Sequence, residues 1–452
     1  MISAEDLKSA IKIYRQVAKK EFIDSLLKSA GVVEQRGGIF SAAVVVWLMI
    51  FQRLSPDHTL SAAIEYLKVG GVQQLLDAET KSLKVRSGRI SSCTGGYSQG
   101  RGRLPLSVVE QVTEVLNKEL SENKGEPRIY AVDGTTVLVS CSESLVSEYS
   151  QHGTRLGKSH YPLVRVELAT DVLSGMASNP VVGAHNGSKA TSEIGLVQEV
   201  LTKLETGSII LADRYYGVTQ VVQCTKQLGL QLVVRLKDSV AEKLIQKKSQ
   251  KSSGVVDVIW RPSEYEKKRY PHLADAAIAG RCIWQTIEKN GFQPFKLFLF
   301  TTCNKTPDEV VDLYGLRWNV EQDLRDLKTT LGLNFVSAKS PDMIKKEILT
   351  GIAAYNLIRH FMKVVAGQLK TSVRNISFKA SLRRFYMLGN NLLSSSSENE
   401  NQITKNMFIA LTDLKALLLP IRKKIRDSPP RQKWRKGVQR YRDSVPFVPK
   451  AK

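Results

Sequence analysis

Cysteine is scarce and scattered in this chain. Its 452 residues hold five, Cys93, Cys141, Cys224, Cys282 and Cys303, an odd number without CxxC spacing. That argues against a disulfide framework and against a thiolate zinc site. The six histidines stand apart and make no HExxH pair, so a histidine metal centre has no support either. Long apolar runs are also missing. The longest, Phe40 to Phe51, falls short of the roughly 20 residues a bilayer-spanning helix needs and reads as a buried helix. The opening stretch MISAEDLKSAIKIY carries early acids and no apolar leader core, so the expected location is the cytosol. Acids are in deficit: 43 Asp and Glu against 66 Lys and Arg give a net charge of +23. Such an excess favours a polyanionic partner through counterion release from a phosphate backbone, with a membrane surface as the alternative. A hydrophobic content of 42% is enough to build real cores.

No internal repeat divides the chain. Residues 1–125 read as mostly helical, with apolar spacing of helical period broken by Gly and Pro, and SCTGGYSQGRGRLP reads as a basic, glycine-rich connector. After Pro127 the pattern changes. RIYAVDGTTVLVS, YPLVRVELATDVLSG and MASNPVVGAH have strand character, followed by a helix, the strand GSIILADRYYG, a helix ending at Gly229, and the strand LQLVVRLK. This order predicts a mixed α/β core over 126–237. Residues 238–303 read as an inserted β-rich segment with a hairpin turning at Asn290-Gly291. Helical pattern resumes over 304–370, with Thr306 as N-cap and Pro307 as first helical residue. Further helices fill 371–425. From Ile421 onward twelve Lys and Arg face two Asp among four prolines, and the tail over 426–452 reads as a disordered basic arm that orders on DNA or merely solubilises.

The stretch YGLRWNVEQDLRDLKTTLGL, Tyr314 to Leu333, holds three acids. Wound as one helix, it places Glu321 at about −20°, Lys328 at about −40° and Arg317 at about −60° from Tyr314. A leucine stripe runs beside this edge. Asp323 and Asp326 fall on the opposite side and read as a solvated face that tolerates replacement. Two more acids, Asp133 in YAVDGTT and Asp213 in IILADRYY, end buried strand runs, where an unpaired carboxylate is costly. Each acid taken singly also has an ordinary reading, as a turn former, a surface pair or a helix salt bridge. Together, three convergent carboxylates would suit hard divalent cations. Two such ions can clamp an in-line attack on phosphorus, with Tyr314, Arg317 and Lys328 supplying phosphate contacts. GTRLGKS, Gly153 to Ser159, is one residue short of a phosphate-binding loop and reads as a basic surface turn, so no nucleotide cofactor is expected.

The spacing Tyr314-x2-Arg317-x3-Glu321-x6-Lys328 resembles the YREK signature of the insertion-sequence-four family of DDE transposases. VDGTT at Asp133 and LADRYYG at Asp213 are similar to that family's two aspartate motifs, and GGYSQGRGRLP to its motif ahead of the catalytic domain. The resemblance covers roughly residues 30–370. It implies an RNase H-like core and Mg²⁺, with Mn²⁺ as substitute and two ions in the site. It also implies cut-and-paste movement of an insertion sequence in a prokaryotic cell. Asp133, Asp213 and Glu321 become metal ligands and catalytic residues. Tyr314, Arg317 and Lys328 become DNA contacts, with Arg214, Arg235 and Lys237 as weaker ones. The implied partners are double-stranded DNA, as terminal inverted repeats and as target, and a second copy of the chain in the DNA complex. The helical region before residue 125 is expected to bind the inverted repeats, although no helix-turn-helix stands out. Trp260 or Trp284 reads either as packing in the insertion or as a stacking surface for a displaced base. Two rival readings remain: an inactive or domesticated DNA-binding relative, and a metal-dependent nuclease without strand transfer.

Overall fold

The computed structural model describes most of residues 20–392, together with 414–419. Within the longer span, residues 30, 33–37, 70–71, 73–74, 77–83, 86, 122–124, 155–156, 179, 246–251 and 289–293 fall outside the description. The basic tail, the first 19 residues and the Asn290-Gly291 turn therefore lie outside the described residues.

A mixed sheet with helices on both faces organises the molecule. Its strands are β1 (Ile129–Val139), β2 (Gln151–Thr154), β3 (Gly157–Asp171), β4 (Val181–Ala184), β5 (Ile209–Ala212), β6 (Gln231–Arg235), β7 (Ser253–Trp260), β8 (Ile278–Ile287), β9 (Phe295–Thr301) and β10 (Phe335–Val336). The order is β2-β3-β1-β5-β6-β9-β8-β7, with β4 paired to β3 and β10 to β1. β3 runs antiparallel to β1 and β4, while β5 and β6 run parallel to β1. The segment 253–301 thus extends the central sheet, β9 pairing antiparallel with β6. In GTRLGKS, Thr154 of β2 pairs with Gly157 of β3 and Gly153 with Lys158.

Two cores lie on the two faces of the sheet. On one, Tyr130, Val132, Ile210 and Ala212 pack with helices Glu193–Leu201 and Thr219–Gln227. Ser192 caps the first of these, accepting from the Gly195 amide at 3.1 Å. On the other face, Ala131 and Leu211 join one large cluster. It includes α1 (Ala42–Leu54), α2 (Leu106–Ser121), α3 (Pro307–Gly315), α4 (Trp318–Arg325) and α5 (Pro341–Gln368). Helix α5 is buried along most of its length and packs against α1 and α2. Thr306 caps α3 in a reciprocal box with Glu309, ahead of Pro307.

Two expectations need correction. The glycine-rich connector is a helix, Gly95–Arg103. Its glycines permit close packing, because a Cβ at Gly96 would stand 2.8 Å from Phe40 and one at Gly100 2.9 Å from Val45. Arg101 in it is buried and pairs with Glu347 of α5, as does Arg53 at 3.3 Å. The second concerns Tyr314 to Leu333, which is not one uniform helix. Helix α3 ends at Gly315, a tight turn carries Leu316 and Arg317, and α4 passes into a π-helical turn over Asp326–Thr330. The tight turn overwinds the chain and the π turn underwinds it, so a single wheel describes the stretch only in part.

Candidate active site

Strand register brings the two aspartates level, although Asp133 lies within β1 rather than at its end, as its run suggested, and Asp213 just past the end of β5. Ala131 pairs with Leu211 in the parallel β1–β5 ladder. Asp133 and Asp213 each stand two residues further on, so side-chain alternation turns both toward the face of Ala131 and Leu211. Helix α4, which carries Glu321, packs against β1 on that face. Local bonds hold each aspartate: Asp133 Oδ1 accepts from the Gly134 amide at 2.8 Å, and Asp213 Oδ1 from the Tyr215 amide at 2.7 Å.

Asp133 lies within reach of the charges of the other two acids. Burial is the main cause that pushes the Asp133 carboxyl up to about 6. The Gly134 amide opposes it, the charges of Asp213 and Glu321 add to it, and Arg317 counteracts them. Arg317 is buried, and its Nη2 lies 3.1 Å from Glu321 Oε1. Burial works against the Arg317 charge, but Tyr314, Glu321 and Asp133 outweigh it and raise its pKa. Its guanidinium also lies over the rings of Tyr314, at 5.7 Å, and Trp318, at 4.8 Å. Burial raises the Tyr314 phenol, while Arg317 and Arg235 pull it back. Asp133, Asp213, Tyr314, Arg317, Glu321 and Arg235 thus form one electrostatic group.

The remaining candidates are more peripheral. Arg235, at the end of β6, is half-buried with its guanidinium 5.5 Å from the Phe295 ring. Arg214 and Lys237 are exposed beside Asp213 and β6. Lys328 is half-buried on the π turn, seven residues beyond Glu321.

Metal fit can be judged on the donors. Three carboxylates offer hard oxygen ligands, and the like-charge contribution at Asp133 is one that a cation would relieve. As the side chains stand, no group of three His, Cys, Asp or Glu among the described residues is arranged to hold a metal ion. Glu321 rests against Arg317, yet its side chain is 45% exposed and can exchange that partner for a cation. The residues fit a divalent ion in kind.

Asp323 and Asp326 do not face solvent. Asp323 is fully buried and Asp326 nearly so. Arg359 of α5 bonds Asp323 at 2.5 Å and Asp326 at 3.2 Å, and Arg374 bonds Asp323 at 2.6 Å. The expectation failed because the winding of α4 does not reveal that a later helix covers its far side. A signal was present: Arg359 interrupts the apolar run GIAAYNLIRHFM, and a buried arginine requires a buried acid.

Glu167 was also missed. This fully buried carboxylate on β3 pairs in register with Gly134 and accepts from the Tyr216 hydroxyl at 2.5 Å. Burial raises its carboxyl to about 8, opposed by the Tyr216 bond and reinforced by Asp133. Its Oε2 packs where a side chain at position 134 would sit, which explains the glycine after Asp133. A lone acid in the strand run LVRVELAT was the available sign. Trp260 is buried, donates to Thr219 Oγ1 at 2.9 Å and meets the Phe300 ring edge-on, so it packs the insertion. Trp284 covers Gly254. Trp318 and Tyr215 are instead exposed aromatics beside the acids.

The model of the transposase DDE domain matches residues 124–357, just over half of the chain, and the chain belongs to that family. Among curated proteins it is similar to the transposase InsG for insertion sequence element IS4 of Escherichia coli (strain K12). The two share 24% identity over 215 residues, which span 46% of this chain and 46% of that relative. The chain thus aligns with about half the length of that relative. Among solved structures, a piggyBac transposase in a synaptic complex with hairpin DNA covers 89% of this chain and 84% of its own, at 11% identity and a TM-score of 0.44. That likeness is too slight to carry an argument.

Proposed function

We propose that this chain is a transposase that cuts DNA at the inverted-repeat ends of an insertion sequence and joins the freed ends to target DNA. One observation carries the reading: the β1–β5 register sets Asp133 level with Asp213, and the helix bearing Glu321 and its partner Arg317 packs against β1, all within the family-matched domain. The strand order β4-β3-β1-β5-β6, with β3 antiparallel and β5 and β6 parallel to β1, supports an RNase H-like core.

In this reading Asp133, Asp213 and Glu321 hold the divalent cations, Mg²⁺ by preference and two in number. Bound there, they supply activation of the attacking oxygen and stabilisation of the leaving one. The chain's own cations do the positioning. Arg317 contacts a phosphate next to the cut once Glu321 is engaged elsewhere. The Tyr314 phenol, Lys328, Arg235, Arg214 and Lys237 extend the phosphate track. The helices before residue 125 grip the inverted repeat, and two copies pair the two ends, working in the cytosol.

The test is incubation of the full chain with DNA carrying the element's own ends, Mg²⁺ and a target plasmid. Joined products are expected. Cleavage without joining would point to a plain nuclease, and end binding without cleavage to an inactive relative.

A further inference from the structure

The third acid sits on a short support. Helix α4 has eight residues, bounded by the tight turn at Leu316-Arg317 and the π turn at Asp326–Thr330. Its orientation must come from what grips it. On its buried side Val320 and Leu324 pack in the core, and Asp323 is enclosed by two arginines.

Both arginines come from beyond residue 357, where the family match ends. Arg374 grips Asp323 through both oxygens, Nη1 to Oδ1 at 2.6 Å and Nη2 to Oδ2 at 3.1 Å. The same guanidinium donates to the Val172 carbonyl at 2.8 and 3.1 Å and to the Asp171 carbonyl at 3.3 Å. Asn319 of α4 reaches that Val172 carbonyl too, at 3.3 Å. Arg359 joins Asp323 and Asp326 and donates to the Tyr355 hydroxyl at 2.7 Å, which donates to the Gly175 carbonyl at 2.8 Å. Gly175 has φ +75°, and a Cβ there would come within 3.0 Å of the Arg359 guanidinium. The turn after β3 is therefore shaped around the clamp.

We propose that Arg374 and Arg359 are positioning residues for Glu321, holding α4 in a fixed roll against the sheet that carries Asp133. This inference rests on the transposase reading of the acids. Glu321 and Asp323 point roughly 200° apart on the helix, so a roll that frees Asp323 swings Glu321 the opposite way. A roll of about 20° moves a carboxylate about 7 Å from the axis by roughly 2.5 Å. A misplacement of about 1 Å can already cost about 100-fold in rate. A bidentate fork sets such an angle better than a point charge does.

The experiment uses the full chain and the variants R374A, R374K and E321A. Four quantities are read for each: end-DNA binding without metal, thermal midpoint, Mn²⁺ affinity by calorimetry, and end cleavage. For R374A we expect end binding within about twofold of the parent, Mn²⁺ affinity about tenfold weaker and cleavage about 100-fold slower. R374K should fall between the two. If R374A does not fold, R374K decides on the same readings. Unchanged Mn²⁺ affinity and cleavage in the folded Arg374 variants, beside an inert E321A, overturns the inference alone. Loss of end binding in step with cleavage makes the clamp a general brace and also overturns it. Full cleavage by E321A overturns the underlying reading instead.

Discussion

The two sides of helix α4 carry the same residue types with opposite outcomes. On one side Glu321 meets Arg317, near Asp133 and Asp213. On the other, Asp323 and Asp326 meet Arg359 and Arg374. Burial pushes both Asp133 and Asp326 up to about 6. The neighbours then differ. At Asp133, Asp213 and Glu321 add to the push and Arg317 opposes them. At Asp326, Arg359 is the largest influence after burial and opposes it, with Asp323 adding to it. The buried side is closed by two guanidiniums, and each carboxylate oxygen of Asp323 and Asp326 accepts at least one bond. The sheet-facing side gathers acids faster than cations and leaves Glu321 half in solvent. A fold keeps such an imbalance where a ligand is to supply the missing charge, and neutralises charge fully where it only needs rigidity.

The largest expected effect would break that comparison at its functional side. Asp133→Ala, Asp213→Ala or Glu321→Ala should each lower Mg²⁺-dependent end cleavage by about 1000-fold or more while end binding persists. A gel assay with labelled end DNA reads both, and cleavage surviving in Glu321→Ala would show that the acids are not the reacting set.

On the buried side the loss should appear in stability first. Asp323→Ala leaves Arg359 and Arg374 without their shared acid, and about 3–5 kcal/mol should be lost in urea unfolding. Asp326→Ala, at the margin and bonded by Arg359 alone of the two arginines, should cost less. Equal and negligible losses would return both acids to the solvated role that helical winding suggested.

The expected substitutions differ in sign, Asp323→Ala lowering stability and Asp133→Asn raising it. Asp133 has its carboxyl raised in the folded state, so the native protein binds the proton more tightly than the unfolded chain does. Stability of the metal-free protein therefore falls as pH rises from about 4 to about 6 and stays reduced above that. Asp133→Asn removes this penalty and should stabilise the metal-free protein at pH 7 by roughly 1–3 kcal/mol, although it abolishes cleavage. Glu167→Gln keeps an acceptor for Tyr216 and should likewise flatten the fall in stability that extends to about pH 8. Thermal midpoints across pH test both, and a destabilised Asp133→Asn would contradict the crowded-charge account.

The smallest effect concerns the phosphate track. Arg317→Ala or Lys328→Ala should each lower the slope of log affinity against log salt for end DNA by about one. An unchanged slope would remove that residue from the track.

The candidate acids were legible because they follow local rules. Acids set in apolar strand runs drew out Asp133 and Asp213, although β1 continues past Asp133 to Val139. The motif spacing singled out Glu321, and the Thr306-Pro307 signal located the start of α3. The role of Asp323 was not legible, because its partners lie 36 and 51 residues further along the chain. Nor was the helix at Gly95–Arg103, whose glycines make sense only against Phe40 and Val45.

The sequence by itself determined the basic charge balance, the alternation of strands and helices and the identity of the acids, since each depends on composition or short-range period. Tertiary structure decided which acids are exposed, which are clamped, and that equal offsets along parallel β1 and β5 bring Asp133 and Asp213 level. Those outcomes depend on strand register and on the path of α5, contacts between residues far apart in the chain that no local pattern encodes.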